Sequence, residues 1–235
     1  MAFQIFRPEQ ADRCPIRGVL FDMDGLVLDS EKLYARFWAE GTRFYGYDMS
    51  YTQALGMRAL SAQAGKAKIA AYFGPEADYQ LMRAKRMELM ESFIEENGVE
   101  CKPGIHELLT WLHEQGIRTA ITSSSPMDRI RRHLALHGLD TRFDALCSGH
   151  DVPNGKPAPD IYLHGAASLG LKPEECLALE DAPAGIESAF RAGCLAVVVP
   201  DLDQPGEETL ARCFARADSL SDIIGLLEQL NACLL

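Results

Sequence analysis

Short runs of valine, isoleucine and leucine alternate along the chain with stretches whose apolar residues return every three or four positions. RGVLFD (17–22), IRTAIT (117–122), CLALE (176–180) and CLAVVVP (194–200) read as strands apolar on both faces, and FDALCSG (143–149) as a weaker fifth. Helical patterns lie between them: GIHELLTWLHEQ, MDRIRRHLALHG, DIYLHGAASLG and AGIESAFRAG. The last three end in Gly138, Gly170 and Gly193, a frequent helix stop. Buried strands alternating with helices predict an α/β fold, a parallel sheet covered by helices on both faces.

One interval breaks the alternation. A strand–helix–strand unit needs about 30 residues, yet Asp22 and Ile117 stand 95 positions apart. The intervening 30–102 carries no strand pattern and reads as helical. In ADYQLMRAKRMELMESFIEEN, Met82, Leu89 and Phe93 fall on one stripe of a helix, with the methionines as core filler. The expected organisation is a core made of 1–29 and 103–235, with a helical domain, 30–102, inserted after the first strand. Pro103-Gly104 marks the return to the sheet.

Composition narrows the partners. With 235 residues, 47% of them hydrophobic, the chain can bury a large core. A net charge of −11 argues against nucleic acid and anionic membrane, so an anionic ligand would need a local cluster of cations, metal or backbone N–H groups. No apolar stretch approaches a transmembrane span, and the N-terminus lacks the apolar core of a signal peptide. Seven scattered cysteines without a CxxC pair read as reduced thiols of a cytoplasmic protein. No nucleic-acid or membrane partner is expected, and the expected state is a monomer, with a homodimer left open.

Ligands of open parallel sheets bind beyond the carboxyl ends of the strands, and there the polar residues converge. Asp22 and Asp24 follow the first strand, Thr122, Ser123, Ser124 and Ser125 the second, Lys156 the weak third, and Glu180 and Asp181 the fourth. Each has a plain alternative. Asp24-Gly25 can be the turn of a hairpin between Val19–Phe21 and Leu26–Leu28. Ser125 can be the N-cap of a helix opened by Pro126, Asp181 the N-cap before Pro183, and Lys156 a solvated lysine. Asp22-x-Asp24-Gly25 lacks the third ligand position of an EF-hand, and Pro157 excludes a Walker lysine. On one sheet edge, four coincidences would be required.

Together the groups suit phosphoryl chemistry. Carboxylates of Asp22, Asp181 and Glu180, with a backbone carbonyl near Asp24, offer Mg²⁺ its hard oxygen ligands. A shared cation lets Asp22 stay ionised beside a phosphate and attack phosphorus as nucleophile. Asp24 can then serve as acid and afterwards as base, while Ser123 and Lys156 offset charge on the transferring group. His133 and His137 in HLALH are four apart, but no third ligand is apparent, and both read as surface or helix-end residues.

DMDGLVLDS, TSSS, GKPAPD and ALEDAPAG resemble, in order and spacing over 17 to about 200, the four motifs of the haloacid dehalogenase (HAD) superfamily. The resemblance implies a Rossmann-like core with a C1-type helical cap, and a Mg²⁺-dependent phosphatase working through an aspartyl-phosphate. Asp22 is then the nucleophile and Asp24 the acid/base, with Ser123 binding phosphate and Lys156 stabilising charge. Asp22, Asp24, Asp181 and Glu180 hold the metal, and Ser124 and Gly25 touch substrate. A β-flap is expected at Gly25–Leu28. The motifs look most like the β-phosphoglucomutase-like branch, near pseudouridine-5′-phosphatase and 2-deoxyglucose-6-phosphatase, with a sugar phosphate or nucleoside monophosphate as substrate. The alternatives are a phosphoryl-transferring mutase, disfavoured by Tyr34 in place of the mutase histidine, and an idle binding fold. The dehalogenase reaction is disfavoured by Asp24. In the loop LGMRALS (55–61), Arg58 is the candidate contact for a polar or anionic part of the substrate.

Overall fold

A computed structural model describes residues 3–10, 15–58, 60 and 62–232. The chain forms two compact units, Met1–Leu28 with Cys101–Leu235, and Asp29–Glu100. In the first, seven strands make one sheet: β1 Phe3–Ile5, β2 Gly18–Phe21, β3 Arg118–Ser123, β4 Ala145–Ser148, β5 Cys176–Glu180, β6 Leu195–Val198 and β7 Ala215–Ala217. Their order is β1-β7-β6-β5-β2-β3-β4. All neighbours are parallel except β1 on β7, so the sheet is mixed but mostly parallel. The five predicted strands are β2 to β6, which run contiguously from β6 to the β4 edge; β1 and β7 add two unpredicted strands at the other side. Every residue of β2, β5 and β6 is buried, as expected of strands enclosed on both faces.

The second unit is a helical insertion after β2, containing α1 Glu31–Phe44, α2 Tyr51–Leu55, α3 Ala62–Phe73 and α4 Tyr79–Asn97. Its core gathers Trp38, Met57, Ile69, Tyr79 and Met82, with Trp38 stacked on Tyr79. The buried stripe of α4 differs from the expected one: it runs through Tyr79, Met82, Arg86, Met90 and Ile94, leaving Leu89 and Phe93 on its flank. A charged residue occupies the middle of that stripe because its guanidinium lies over the rings of Tyr34, at 4.3 Å, and Trp38, at 5.4 Å.

Six more helices belong to the sheet unit: α5 Ile105–Glu114, α6 Met127–Ala135, α7 Asp160–Ser168, α8 Pro183–Ala192, α9 Glu207–Leu210 and α10 Asp222–Ala232. α6, α7 and α8 stop just before Gly138, Gly170 and Gly193, as predicted. Cys101, Cys147, Cys176, Cys194 and Cys213 are free thiols; Cys14 and Cys233 lie outside the described residues. Among the described residues no helix is long and apolar enough to cross a membrane.

Candidate active site

β2 lies between β3 and β5, and Phe21 pairs in register with Ile121 on one side and Leu179 on the other. The next residue of each strand, Asp22, Thr122 and Glu180, therefore leaves the carboxyl edge at one level. From β2 the chain builds β3 and β4 on one side and β5 to β7 on the other, which opens a crevice where the order reverses. The Asp22 N–H donates to the Leu179 carbonyl at 3.0 Å, which fixes where its carboxylate starts.

The loop after β4 brings Lys156 into this crevice. Its Nζ donates to Asp22 Oδ1 at 2.5 Å, to Glu180 Oε1 at 2.6 Å and to the Thr122 carbonyl at 2.9 Å, so all three N–H groups are engaged. This is not a solvated lysine: 9% of its side chain is exposed, and 1% of the Glu180 side chain. Burial works against the ammonium, but the two carboxylates outweigh it and hold Lys156 above the ordinary lysine range. Burial pushes the Asp22 carboxyl up to about 8; Lys156 opposes this, while Glu180 and Asp24 add to it. The site is rich in carboxylate and short of cation.

Asp24 sits one step further along. Ser125 Oγ donates to Asp24 Oδ2 at 3.2 Å, and Arg129 in α6 pairs with Asp24 Oδ1 at 3.5 Å and donates to Ser125 Oγ at 3.3 Å. Ser125 is thus not the cap of α6, whose N-cap position is Pro126 with no side-chain cap bond. Asp181 likewise does not cap α8, where Ala182 holds that position. The hairpin reading fails as well. Val19–Phe21 belongs to the parallel sheet, whereas Leu26–Leu28 forms no strand and makes only isolated bridges from Leu28 to Asp24 and Cys101. A tight turn replaces the expected flap, with Gly25 at φ 88° and its N–H donating to the Leu28 carbonyl at 2.9 Å. Buried Ser123 accepts the Ser125 N–H at 3.1 Å, which leaves its hydroxyl proton available, and Ser124 is exposed beside it.

One carboxylate oxygen from each of Asp22, Glu180 and Asp181 lies within 4.8 Å of the others, a group able to coordinate a divalent metal. Glu180 is pressed into place by Gly185, where a Cβ would stand 1.8 Å from the Glu180 Cδ and Oε1. Gly185→Ala must therefore expel a buried carboxylate. We expect a stability loss of about 1–3 kcal/mol, the usual cost of overpacking, together with a disturbed carboxylate group for any divalent metal. Urea unfolding and calorimetric Mg²⁺ titration check both, and an unchanged midpoint would exclude this placement.

Arg58 follows α2 in the helical unit, half-buried, with Nε donating to the Leu55 carbonyl at 3.1 Å; Ala59 and Ser61 of its loop lie outside the described residues. His133 lies in the last turn of α6, a helix end as read from the sequence, but it is buried there rather than on the surface. No metal-ligand group among the described residues includes it or His137. Sequence reasoning missed Arg129 and Tyr162 and misassigned Ser125. Arg129 and Ser125 reach Asp24 from over 100 positions away, and no local pattern carries such a contact.

The model of the haloacid dehalogenase-like hydrolases matches residues 16–193. Over 195 residues the chain is 36% identical to hexitol phosphatase A of Escherichia coli K12, covering 80% of this chain and 83% of that protein. Among solved structures, a HAD family hydrolase from Deinococcus radiodurans with bound phosphate and sodium superposes with a TM-score of 0.75 at 26% identity, covering 93% and 97% of the two chains. CbbY from Rhodobacter sphaeroides in complex with phosphate gives 0.70 at 25% identity, covering 88% and 96%. The four strand-end groups fall inside the matched range, with their carboxylates and lysine in mutual contact, and the chain belongs to the haloacid dehalogenase-like hydrolases.

Proposed function

We propose that the protein is a Mg²⁺-dependent phosphatase of small phosphomonoesters and that Asp22 carries the phosphoryl group. The observation that bears most weight is the buried bridge Asp22–Lys156–Glu180 at the switch point of the sheet, with bonds of 2.5 and 2.6 Å. An Asp22 oxygen attacks phosphorus, the ester P–O bond breaks, and the Asp24 carboxyl gives its proton to the leaving oxygen. Asp24 then takes a proton from water as the water oxygen attacks the aspartyl-phosphate. Inorganic phosphate leaves, and the Asp22 carboxylate is restored.

Ser123, with its hydroxyl proton uncommitted, donates to the phosphate, and exposed Ser124 and the turn at Gly25 line its approach. Lys156 contributes charge rather than a new hydrogen bond, because its donors are already engaged. Asp22, Glu180, Asp181 and the Asp24 backbone carbonyl would hold Mg²⁺, which when bound neutralises the carboxylates and polarises the phosphoryl oxygens. The raised Asp22 carboxyl fits a site built around such an ion.

The likeness to hexitol phosphatase A supports a phosphorylated sugar or polyol, with nucleoside monophosphates as the next class. Arg58 in the helical unit is the proposed selectivity contact, and that unit the cap. Free thiols, four of the five described ones buried, support a reducing compartment such as the cytoplasm.

The test is phosphate release from p-nitrophenyl phosphate and a panel of sugar, polyol and nucleoside phosphates, in Mg²⁺ and in EDTA. Turnover in Mg²⁺ should fall at least about 100-fold on chelation, the scale of one strong electrostatic contribution. No release from any compound, or equal rates in EDTA, would overturn the reading.

A further inference from the structure

Glu180 has two oxygens and two kinds of demand on them. Oε1 accepts Lys156 Nζ at 2.6 Å and, from α7, the hydroxyl of Tyr162, also at 2.6 Å. Among the described residues Oε2 has only the Ala182 N–H, at 3.5 Å, beyond a good hydrogen bond. We infer that Tyr162 is a positioning residue that commits Oε1 to Lys156 and leaves Oε2 as the oxygen offered to a divalent cation. This rests on the proposed function and extends it to a residue outside its catalytic set.

Tyr162 is wholly buried as the third residue of α7, and its ring lies 5.2 Å from Lys156 Nζ, so it walls the ammonium as well as bonding its partner. At 2.6 Å from a carboxylate oxygen that has only lone pairs to offer, the phenol hydroxyl is the donor. Two strong donors on one oxygen fix the carboxylate plane. With Phe in place of Tyr, Oε1 keeps only the bond from Lys156, and the carboxylate plane loses one of the two donors that orient it. Partners that orient a metal-binding carboxylate typically cost about 10–100-fold in metal affinity or activity when removed.

The test is Tyr162→Phe, which keeps the ring and its packing. Calorimetric titration of the substrate-free protein with MgCl₂ should show Mg²⁺ affinity reduced about tenfold or more. With p-nitrophenyl phosphate at saturating Mg²⁺, kcat should fall and KM stay within about twofold, since no substrate contact is lost. Mg²⁺ affinity and kcat both near wild type in a folded variant would overturn the inference.

A second readout needs no variant. In wild-type protein the buried Tyr162 hydroxyl proton should give a slowly exchanging, downfield NMR resonance with contacts to a tyrosine ring, and it should move on Mg²⁺ addition. Its absence, or its indifference to Mg²⁺, would also overturn the inference. A wild-type protein that releases no phosphate removes the proposed function, yet leaves the Mg²⁺ titration and the resonance to decide Tyr162 alone.

Discussion

Asp22→Asn reduces p-nitrophenyl phosphate turnover to background, a fall of at least about four orders of magnitude, and leaves the melting temperature at or above that of wild type. The first half follows from chemistry. An amide oxygen is a poor nucleophile, and positioning an attacking group in place supplies about 7–11 kcal/mol that no other residue can replace. The second half follows from burial. The Asp22 carboxyl is pushed up to about 8 by desolvation, so at neutral pH its ionised form is disfavoured in the folded protein. A neutral isostere removes that penalty, and Lys156 retains Glu180 and the Thr122 carbonyl as acceptors. Steady-state kinetics and a thermal melt without divalent cation measure the two halves separately. A variant with more than about 1% of wild-type rate would place the nucleophile elsewhere, because loss of a nucleophile costs far more than that.

What could be read from the chain was set by how local the signal is. The interior strands announce themselves because enclosure on both faces demands uninterrupted apolar residues, as in Val19-Leu20-Phe21 and Leu195–Val198. The edge strand β1 and its neighbour β7 do not, since three residues of mixed burial, such as Phe3–Ile5, carry no period to detect. The strand ends were legible for a related reason: a parallel sheet sends every carboxyl end to one edge, so topology alone groups Asp22, Ser123, Lys156 and Glu180. Second contacts were not. Ser125 looked like a cap because Ser-Pro before a helix is a cap pattern, yet its hydroxyl bonds Asp24. Tyr162 is core, and its hydroxyl meets Glu180 only through the packing of α7. Arg86 is a charge inside a helical stripe, held there by aromatic faces in contacts the sequence does not display.

Lys156→Met should lower turnover by at least about a thousandfold and stability by about 3–5 kcal/mol, the cost of leaving one side of a buried ion pair behind. Methionine fills much the same volume, so the loss is electrostatic: Asp22 and Glu180 keep their burial and lose their common cation. Its pH dependence separates this cause from simple packing damage. A carboxyl whose folded pKa stands above its unfolded value gives stability that is complete below about pH 4 and is lost as pH rises toward the folded value. Lys156 lowers the Asp22 value even as burial raises it to about 8, so its removal moves that value further up. The stability difference from wild type should then hold steady between about pH 4 and pH 8, where both folded proteins keep Asp22 protonated, and widen above about pH 8, in urea unfolding without divalent cation. A difference independent of pH would mean that Lys156 matters for packing and not for charge. Lys156→Arg supplies the control, because guanidinium restores the positive charge but cannot direct three convergent bonds from one nitrogen. It should recover much of the stability at pH 8 and little of the rate, which would show that the site needs the lysine's geometry for turnover and its charge for folding.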